Sequence, residues 1–359
     1  DSLTNIDYWE SSPKYGRGDP KHQFTGDAHY WGVWHDAEPF ENFELKVPRF
    51  MSEFGFQSFL DMDAISKFTL NEDLSLDSEV MNSHQKHPRG NNLIKEYMQR
   101  DFNEPKDFKG FVYLSQILQS EGVCIGIESH RRAKPYNMGT LYWQFNDCWP
   151  SISWSSRDFY GNWKALHYAA KKSFEDVLIT TVQSEDSLFV YIVNDSNNAS
   201  ECNLLYDHID YYGNHLDYEI VSTKFYADSS ALLKAFSLND FLLKDGIDNR
   251  SYLDIKMMIG DEVKSKKIHH FVKTKDMHLS KANISHKIYE DSLGFKLEIL
   301  SDVFVKDLMI ECTYEGRFEF NYFDLPAHES KRIRFFNENL IDEFDINSIT
   351  FYSIIDTYE

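Results

Sequence analysis

Apolar positions in the first half of the chain recur in two alternating rhythms. The run from Pro48 to Gly55 is apolar at Phe50, Met51 and Phe54 and is stopped by Gly55, which predicts a short buried strand. Leu93, Ile94, Tyr97 and Met98 fall on one face of a helix predicted over residues 91–102. A longer helix is expected after Pro105, a residue suited to a first helical turn, with Phe108, Phe111, Leu114, Ile117, Leu118 and Ile125 at helical spacing. It should end near Arg131 and Arg132, whose charges suit a helix C-terminus. Met138 to Phe145 reads as a β-rich run closed by Asn146, Asp147 and Pro150, and a last helix is predicted over 162–174. Strand, helices, strand, helix is the order of a parallel α/β arrangement.

Beyond residue 177 the period becomes two. Leu188, Val190 and Ile192 form one such run; Tyr252, Leu253 and Ile255 a second; Phe295, Leu297 and Ile299 a third; Ile349, Phe351 and Ser353 a fourth. Turn signals at Gly213-Asn214, Gly246, Gly260-Asp261 and Gly294 separate them, as in antiparallel sandwiches. All seven Trp, at 9, 31, 34, 143, 149, 154 and 163, lie in the first half, which sets a boundary near 175. The domains predicted are 1–176, 177–274 and 275–359, with a polar join at Lys273, Lys275 and Asp276.

A length of 359 residues exceeds what one core usually organises. The 37 Lys and Arg against 58 Asp and Glu give a net charge of −21, which would repel a phosphate backbone and anionic lipid. Neither nucleic acid nor a membrane is an expected partner, and no apolar run approaches the ~18 residues of a spanning helix. Four dispersed cysteines, Cys124, Cys148, Cys202 and Cys312, form no CxxC pair, so a disulfide scaffold or a zinc ribbon is not indicated. The opening at Asp1, with neither an initiator Met nor a leader, is expected of the middle of a longer polypeptide.

Three constellations could carry chemistry. Glu53 is a carboxylate on a strand flanked by Phe50, Met51, Phe54 and Phe56, so it needs a partner or a function. At the end of a parallel barrel strand it would point into an active-site mouth; the plainer alternative pairs it with Arg49. Gly26 to His35 holds five ring-bearing residues between 29 and 35, a mixture suited to stacking on a sugar and addressing its hydroxyls, or equally a packed aromatic loop. The spacing of His29 and His35 gives a metal little support. Trp143 to Trp149 mixes aromatics with Gln144, Asn146 and Asp147 at a strand end. Arg17-Gly18-Asp19 matches an adhesion tripeptide of the kind that occurs by chance. No GxSxG, Walker A or GxGxxG string is present.

Taken together, Ser52-Glu53-Phe54-Gly55-Phe56-Gln57-Ser58, the string GTLYWQFNDCWP with Trp143 90 residues after Glu53, and WSSRDFYGNWKALHY at 154–168 resemble the β-mannosidases of glycoside hydrolase family 2. The resemblance covers roughly residues 8–180. It implies the C-terminal part of a (β/α)8 barrel followed by two immunoglobulin-like β-sandwiches. It further implies that Glu53 is the catalytic nucleophile on barrel strand seven, that Trp143 floors the −1 subsite, and that the WGVWH loop brings Trp31 and a donor near the nucleophile. Many relatives have Tyr at that donor position, where this chain has His35. The activity implied is retaining exo-hydrolysis of terminal non-reducing β-D-mannose from mannosides and manno-oligosaccharides, without cofactor or metal, in the periplasm or outside the cell. Alternatives are a sibling β-galactosidase or β-glucuronidase, or a non-catalytic sugar-binding or structural piece.

One departure from the family pattern stands out. The family's acid/base Glu ends an Asn-Glu pair roughly ninety residues before the nucleophile, whereas only 52 residues precede Glu53 here. The Asn-Glu pairs present, 71–72, 103–104 and 337–338, all follow it. The acid/base residue is therefore expected upstream of Asp1. The barrel is expected to be completed by upstream residues of the same polypeptide, by another chain or by self-association. Asn198-Ala199-Ser200 and Asn283-Ile284-Ser285 fit glycosylation sequons, which matter only in a eukaryotic secretory setting.

Overall fold

A computed structural model describes residues 5, 8–238, 248–292, 294–337 and 344–359. The turn expected at Gly246 lies outside these residues. The first part opens with β1 (Ala28–His29), α1 (Gly32–His35), α2 (Asn42–Leu45), β2 (Met51–Glu53), α3 (Met62–Ser66) and α4 (Glu79–Ser83). It continues with α5 (Gly90–Asp101), α6 (Phe108–Arg132) and α7 (Ala165–Ser173).

β1 pairs parallel to β2, with Ala28 opposite Met51 and His29 opposite Glu53. On the other side of β2, Thr140 bridges Met51 in parallel. The Met51 N–H donates to Gly139 O at 2.9 Å, Leu141 N–H to Met51 O at 2.8 Å, and Trp143 N–H to Phe54 O at 2.8 Å. Three parallel segments therefore lie side by side in chain order, as the alternating rhythm predicted. The β-rich run 138–145 is less regular than expected. After Trp143 the chain leaves the ladder, and Gln144 N–H turns to Trp154 O at 3.1 Å.

The two predicted longer helices form as α5 and α6. Pro105, however, precedes α6 rather than opening it: Asp107 is the N-cap, its carboxylate accepting from Gly110 N–H at 2.7 Å. The last helix starts at Ala165, three residues later than expected, because Trp163 is still held in a bridge to Arg157, which itself bridges Asn146. α6 runs along the core formed by Phe54, Phe56, Phe59, Leu114, Ile117 and Ile127. Gly126 lets it lie close to β2, since a Cβ there would meet the Phe54 ring at 2.4 Å. From its last turn, the His130 ring nitrogen bonds Thr140 Oγ1 at 2.8 Å and fixes the third segment.

The remainder is antiparallel. Strands β3 (Val177–Gln183), β4 (Ser187–Asn194), β5 (Ser200–Asp210), β6 (His215–Phe225), β7 (Ser229–Ser237), β8 (Ser251–Ile259) and β9 (Glu262–His270) form two sheets, ordered β3-β4-β7 and β6-β5-β8-β9. They enclose Ile179, Val190, Ile192, Leu204, Leu253 and Ile255, the alternate positions of the period-two runs. Strands β10 (Ile284–Asp291), β11 (Gly294–Ser301), β12 (Val305–Cys312), β13 (Arg317–Phe318), β14 (Phe323–Leu325), β15 (Lys331–Phe336) and β16 (Ile349–Tyr352) form a second pair, β10-β11-β15-β13 and β14-β12-β16. Gly213, Gly260 and Gly294 adopt positive φ at the predicted turns. Among the described residues of 280–359 the only helical pieces are 3₁₀ turns, so the immunoglobulin-like expectation holds.

α6 also carries both sandwiches. Its Glu128 carboxylate bonds Lys267 Nζ of β9 at 2.9 and 3.0 Å and Thr180 Oγ1 of β3 at 2.6 Å. Nearer its start, Tyr113 OH donates to Asp307 O at 2.6 Å, and Lys109 pairs with Glu311 at 2.7 Å. All four cysteines are free, and no helix among the described residues is long and apolar enough to cross a membrane.

Candidate active site

The site is built where β1 and β2 end together. In an extended segment residues two apart share a face, so His29 and Trp31 lie on the same side as Glu53. His29 Nδ1 lies 3.1 Å from Glu53 Oε2, and Trp31 Nε1 donates to the same oxygen at 3.3 Å. The Glu53 side chain keeps 27% of its surface exposed, so a carboxylate oxygen remains open to a ligand while the other is held. Arg49 is not its partner: that guanidinium lies over the Tyr136 ring at 5.2 Å.

Behind His29 is a polar hub. Ser12 Oγ lies 3.4 Å from His29 Nε2 and donates to Asp27 Oδ2 at 2.6 Å. Ser52 Oγ donates to the same Asp27 oxygen at 2.6 Å, and Trp9 Nε1 to Oδ1 at 3.2 Å. Burial pushes the Asp27 carboxyl up, but the Ser12 and Ser52 hydroxyls and the Trp9 indole outweigh it and hold its pKa below the usual value.

His35, expected as the donor beside Glu53, sits elsewhere. It ends α1, with its ring 5.7 Å from the Trp31 ring and 5.6 Å from that of His87, and it makes no hydrogen bond to Glu53. The reason is geometric: after Trp31 the chain turns into α1, which carries His35 off the strand face, whereas His29 stays in register with Glu53. Burial lowers the His35 pKa, helped by the cations Arg17 and Arg89. Burial likewise lowers that of His87, with His35 and Arg89 adding to it. Both rings are thus biased toward the neutral form.

Trp143 stands at the end of the third segment with 43% of its surface exposed. Its peptide bond to Gln144 is cis. Gly55 makes room for it, and Trp154 closes the space behind with its ring at 6.1 Å from Trp31 and 5.7 Å from the buried Trp34. The loop from Gln144 to Ser153 is braced by the buried Asp147. Its carboxylate bonds Lys86 Nζ at 2.5 Å, Ser153 Oγ at 2.6 Å and Gln144 Nε2 at 3.2 Å.

Glu53, Trp31 and Trp143 therefore meet at one end of the parallel ladder, His35 lies one shell further out, and His29 takes the place given to it. His29, Trp154 and His87 were missed as site residues. The sequence carries no local signal for His29, whose role comes from the register of β1 against β2. No group of three or more His, Cys, Asp or Glu among the described residues could hold a metal ion. The Arg17-Gly18-Asp19 cation is engaged, pairing with Asp36.

Two family models match the second half: a mannosidase Ig/CBM-like domain over 186–276 and an Ig-fold domain of mannosidases over 279–357. The β-mannosidase of Capra hircus is 33% identical over 183 residues, covering 47% of this chain and 21% of that protein. The β-mannosidase B of Emericella nidulans is 34% identical over 160 residues, covering 43% of this chain and 19% of the relative. The chain thus spans about a fifth of the length of these relatives. The crystal structure of a β-D-mannosidase from Dictyoglomus thermophilum superposes with a TM-score of 0.85 at 27% identity, over 94% of this chain and 41% of that one. An exo-chitosanase from Amycolatopsis orientalis, at 14% identity and TM-score 0.65 over 79% of this chain and 39% of that one, shares the fold.

Proposed function

From a chain that resembles the β-mannosidases of glycoside hydrolase family 2 in sequence, domains and structure, we propose that its protein is a retaining exo-β-mannosidase acting on terminal β-D-mannose. In this reading residues 1–176 are the C-terminal part of a (β/α)8 barrel, and 177–274 and 275–359 are sandwiches docked on it. The observation that carries the reading is the Glu53 carboxylate at the end of a parallel strand, held by His29 and Trp31 beside the exposed Trp143.

A retaining glycosidase uses two carboxyl groups about 5–5.5 Å apart, one attacking the anomeric carbon and one protonating the leaving oxygen and then activating water. Glu53 is the attacker. The Nδ1–H of His29 and the indole N–H of Trp31 hold one oxygen, leaving the other free to form the glycosyl ester. Trp143 offers an indole face for the apolar side of the pyranose. Neither of the two described Asn-Glu pairs belongs to the parallel ladder that bears Glu53. Asn71-Glu72 lies in a 3₁₀ turn, and Asn103 of Asn103-Glu104 bonds Lys275 O at 3.3 Å between α5 and α6. Glu338 lies outside the described residues. In this reading the acid/base carboxyl comes from outside residues 1–359.

A 2-deoxy-2-fluoro-β-mannosyl fluoride traps the covalent intermediate of such an enzyme. The full-length protein should be inactivated by it and yield a labelled peptide at Glu53. Labelling at another carboxylate, or inactivation by the galactose- or glucuronic-acid-configured probe instead, would overturn the reading.

A further inference from the structure

We infer that His29, backed by Ser12 and Asp27, is a positioning residue that holds Glu53 in its attacking orientation through the Nδ1–Oε2 hydrogen bond. The inference rests on the reading of Glu53 as nucleophile and adds to it the group that controls that nucleophile.

The hydrogen-bond geometry carries the argument. The Asp27 carboxylate can only accept, and its hydrogen bonds hold it ionised. Ser12 has a single hydroxyl proton, which the 2.6 Å contact commits to Asp27 Oδ2. The Ser12 oxygen lies 3.4 Å from His29 Nε2 and backs the ring. On the opposite side of the ring, Nδ1 meets the Glu53 carboxylate at 3.1 Å, and an ionised carboxylate also only accepts. His29 Nδ1 is thus the donor to Glu53, and its Nε2 faces the Ser12 hydroxyl that is itself bound to Asp27. Such charge-assisted bonds are shorter and stronger than neutral ones and fix direction as well as charge.

The placement suits a positioning role. His29 belongs to β1, in register with Glu53, and its side chain is 19% exposed, so the imidazole has little freedom to turn away. Ser52, next to Glu53 in the chain, also donates to Asp27, so the hub grips both the ring and the strand that bears the nucleophile. Trp31 restrains the same Glu53 oxygen at a longer distance, 3.3 Å. His29 is thus the group whose loss should let the carboxylate swing while the sugar-stacking surfaces stay intact.

The test uses the full-length protein, a 4-nitrophenyl β-mannoside and the fluoromannosyl probe. His29→Leu should lower kcat by about 10²-fold, the cost of a nucleophile misplaced by an ångström, with KM changed by less than threefold. His29→Asn, whose Nδ2 can stand in for Nδ1 toward Glu53, should restore about tenfold of that loss, and Ser12→Ala should cost a few-fold in kcat. Melting temperatures report folding; if the Leu variant does not fold, the Asn and Ser12 variants decide. Wild-type kcat in His29→Leu, or equal losses in the Asn and Leu variants, would overturn the inference. Wild-type protein that neither turns over the mannoside nor labels at Glu53 would instead overturn the proposed function, so the two failures are distinguishable.

Discussion

The backbone of Trp143 occupies the space that a side chain on Gly55 would need: a Cβ built on Gly55 lies 2.2 Å from the Trp143 carbonyl oxygen. The obstacle is backbone rather than a movable side chain, so the third parallel segment can approach β2 only because residue 55 is glycine. Gly55→Ala should destabilise the protein by about 1–3 kcal/mol and displace Trp143 from the site. Chemical denaturation checks the first effect. A fall in Trp143-dependent binding of a mannose-configured inhibitor checks the second.

Glu53→Gln should abolish turnover while leaving inhibitor affinity within a few-fold of the starting value, because the bond to the anomeric carbon has no substitute. Trp143→Ala should behave differently. A stacking surface contributes to ground and transition states alike, so affinity and kcat/KM should fall together by about tenfold. Parallel titration and kinetics on the two variants separate a nucleophile from a platform.

The parallel rhythm, α5, α6 and the period-two strands were readable because each rests on a periodicity that burial enforces. Leu93, Ile94, Tyr97 and Met98 are all buried on one face of α5, and Val190 and Ile192 both point into the first sandwich. The site was readable in part. Glu53 stood out as a carboxylate among Phe and Met, and Trp143 as an aromatic at a strand end. His29 was hidden because its role depends on register: nothing local to residues 26–35 says that β1 lies parallel to β2 with His29 opposite Glu53. The misplaced His35 follows from the turn into α1, whose carbonyls are bonded by Arg89 and by Tyr97 of α5, far along the chain from the WGVWH string. One such contact is the bond from Arg89 to the His35 carbonyl at 3.1 Å.

Residues 1–359 on their own should show no β-mannosidase activity toward an aryl β-mannoside. Loss of general acid catalysis alone costs about 10²–10⁴-fold. Among the described residues β1 has β2 as its only ladder partner, so its outer edge is open. Turnover by monomeric 1–359 at the rate of the full-length protein would show that the acid is inside this chain.

The Glu128–Lys267 pair ties α6 to the first sandwich. Burial pushes the Glu128 carboxyl up, but Lys267 and the Thr180 hydroxyl hold it below the ordinary carboxylate value. A depressed folded pKa means stability that is present above the unfolded value of 4.5 and is lost as pH falls through the folded one. Glu128→Ala should cost about 3–5 kcal/mol at pH 7, since it leaves Lys267 without its carboxylate. The penalty should shrink on acidification below pH 4.5, which thermal unfolding across pH measures directly.

Asp307, in a second buried cluster, has the opposite sign, although Asp324 beside it is, against the push of burial, held low by Lys306 and His270. Lys306 Nζ is 2.6 Å from Asp307 and 3.0 Å from Glu121, while Asp324 accepts from Asp307 N–H at 3.1 Å and lies 3.0 Å from His270. Three carboxyls share one lysine and one imidazole. Burial, followed by the charges of Asp324 and Glu121, pushes Asp307 up to about 7, against the pull of Lys306. A raised folded pKa makes the protonated acid the form that folding prefers. Its contribution is complete below the unfolded value of 3.8 and is lost as pH rises through about 7. Asp307→Asn keeps the shape of the protonated acid and suits the left-handed backbone there, at φ 52°. Lys306 retains Glu121 as a partner in this variant. The variant should therefore match the parent protein at pH 5 and melt higher at pH 8, by about 2–4 °C for each kcal/mol released. A lower melting temperature at pH 8 would mean that Lys306 needs the Asp307 charge more than the cluster is relieved by losing it.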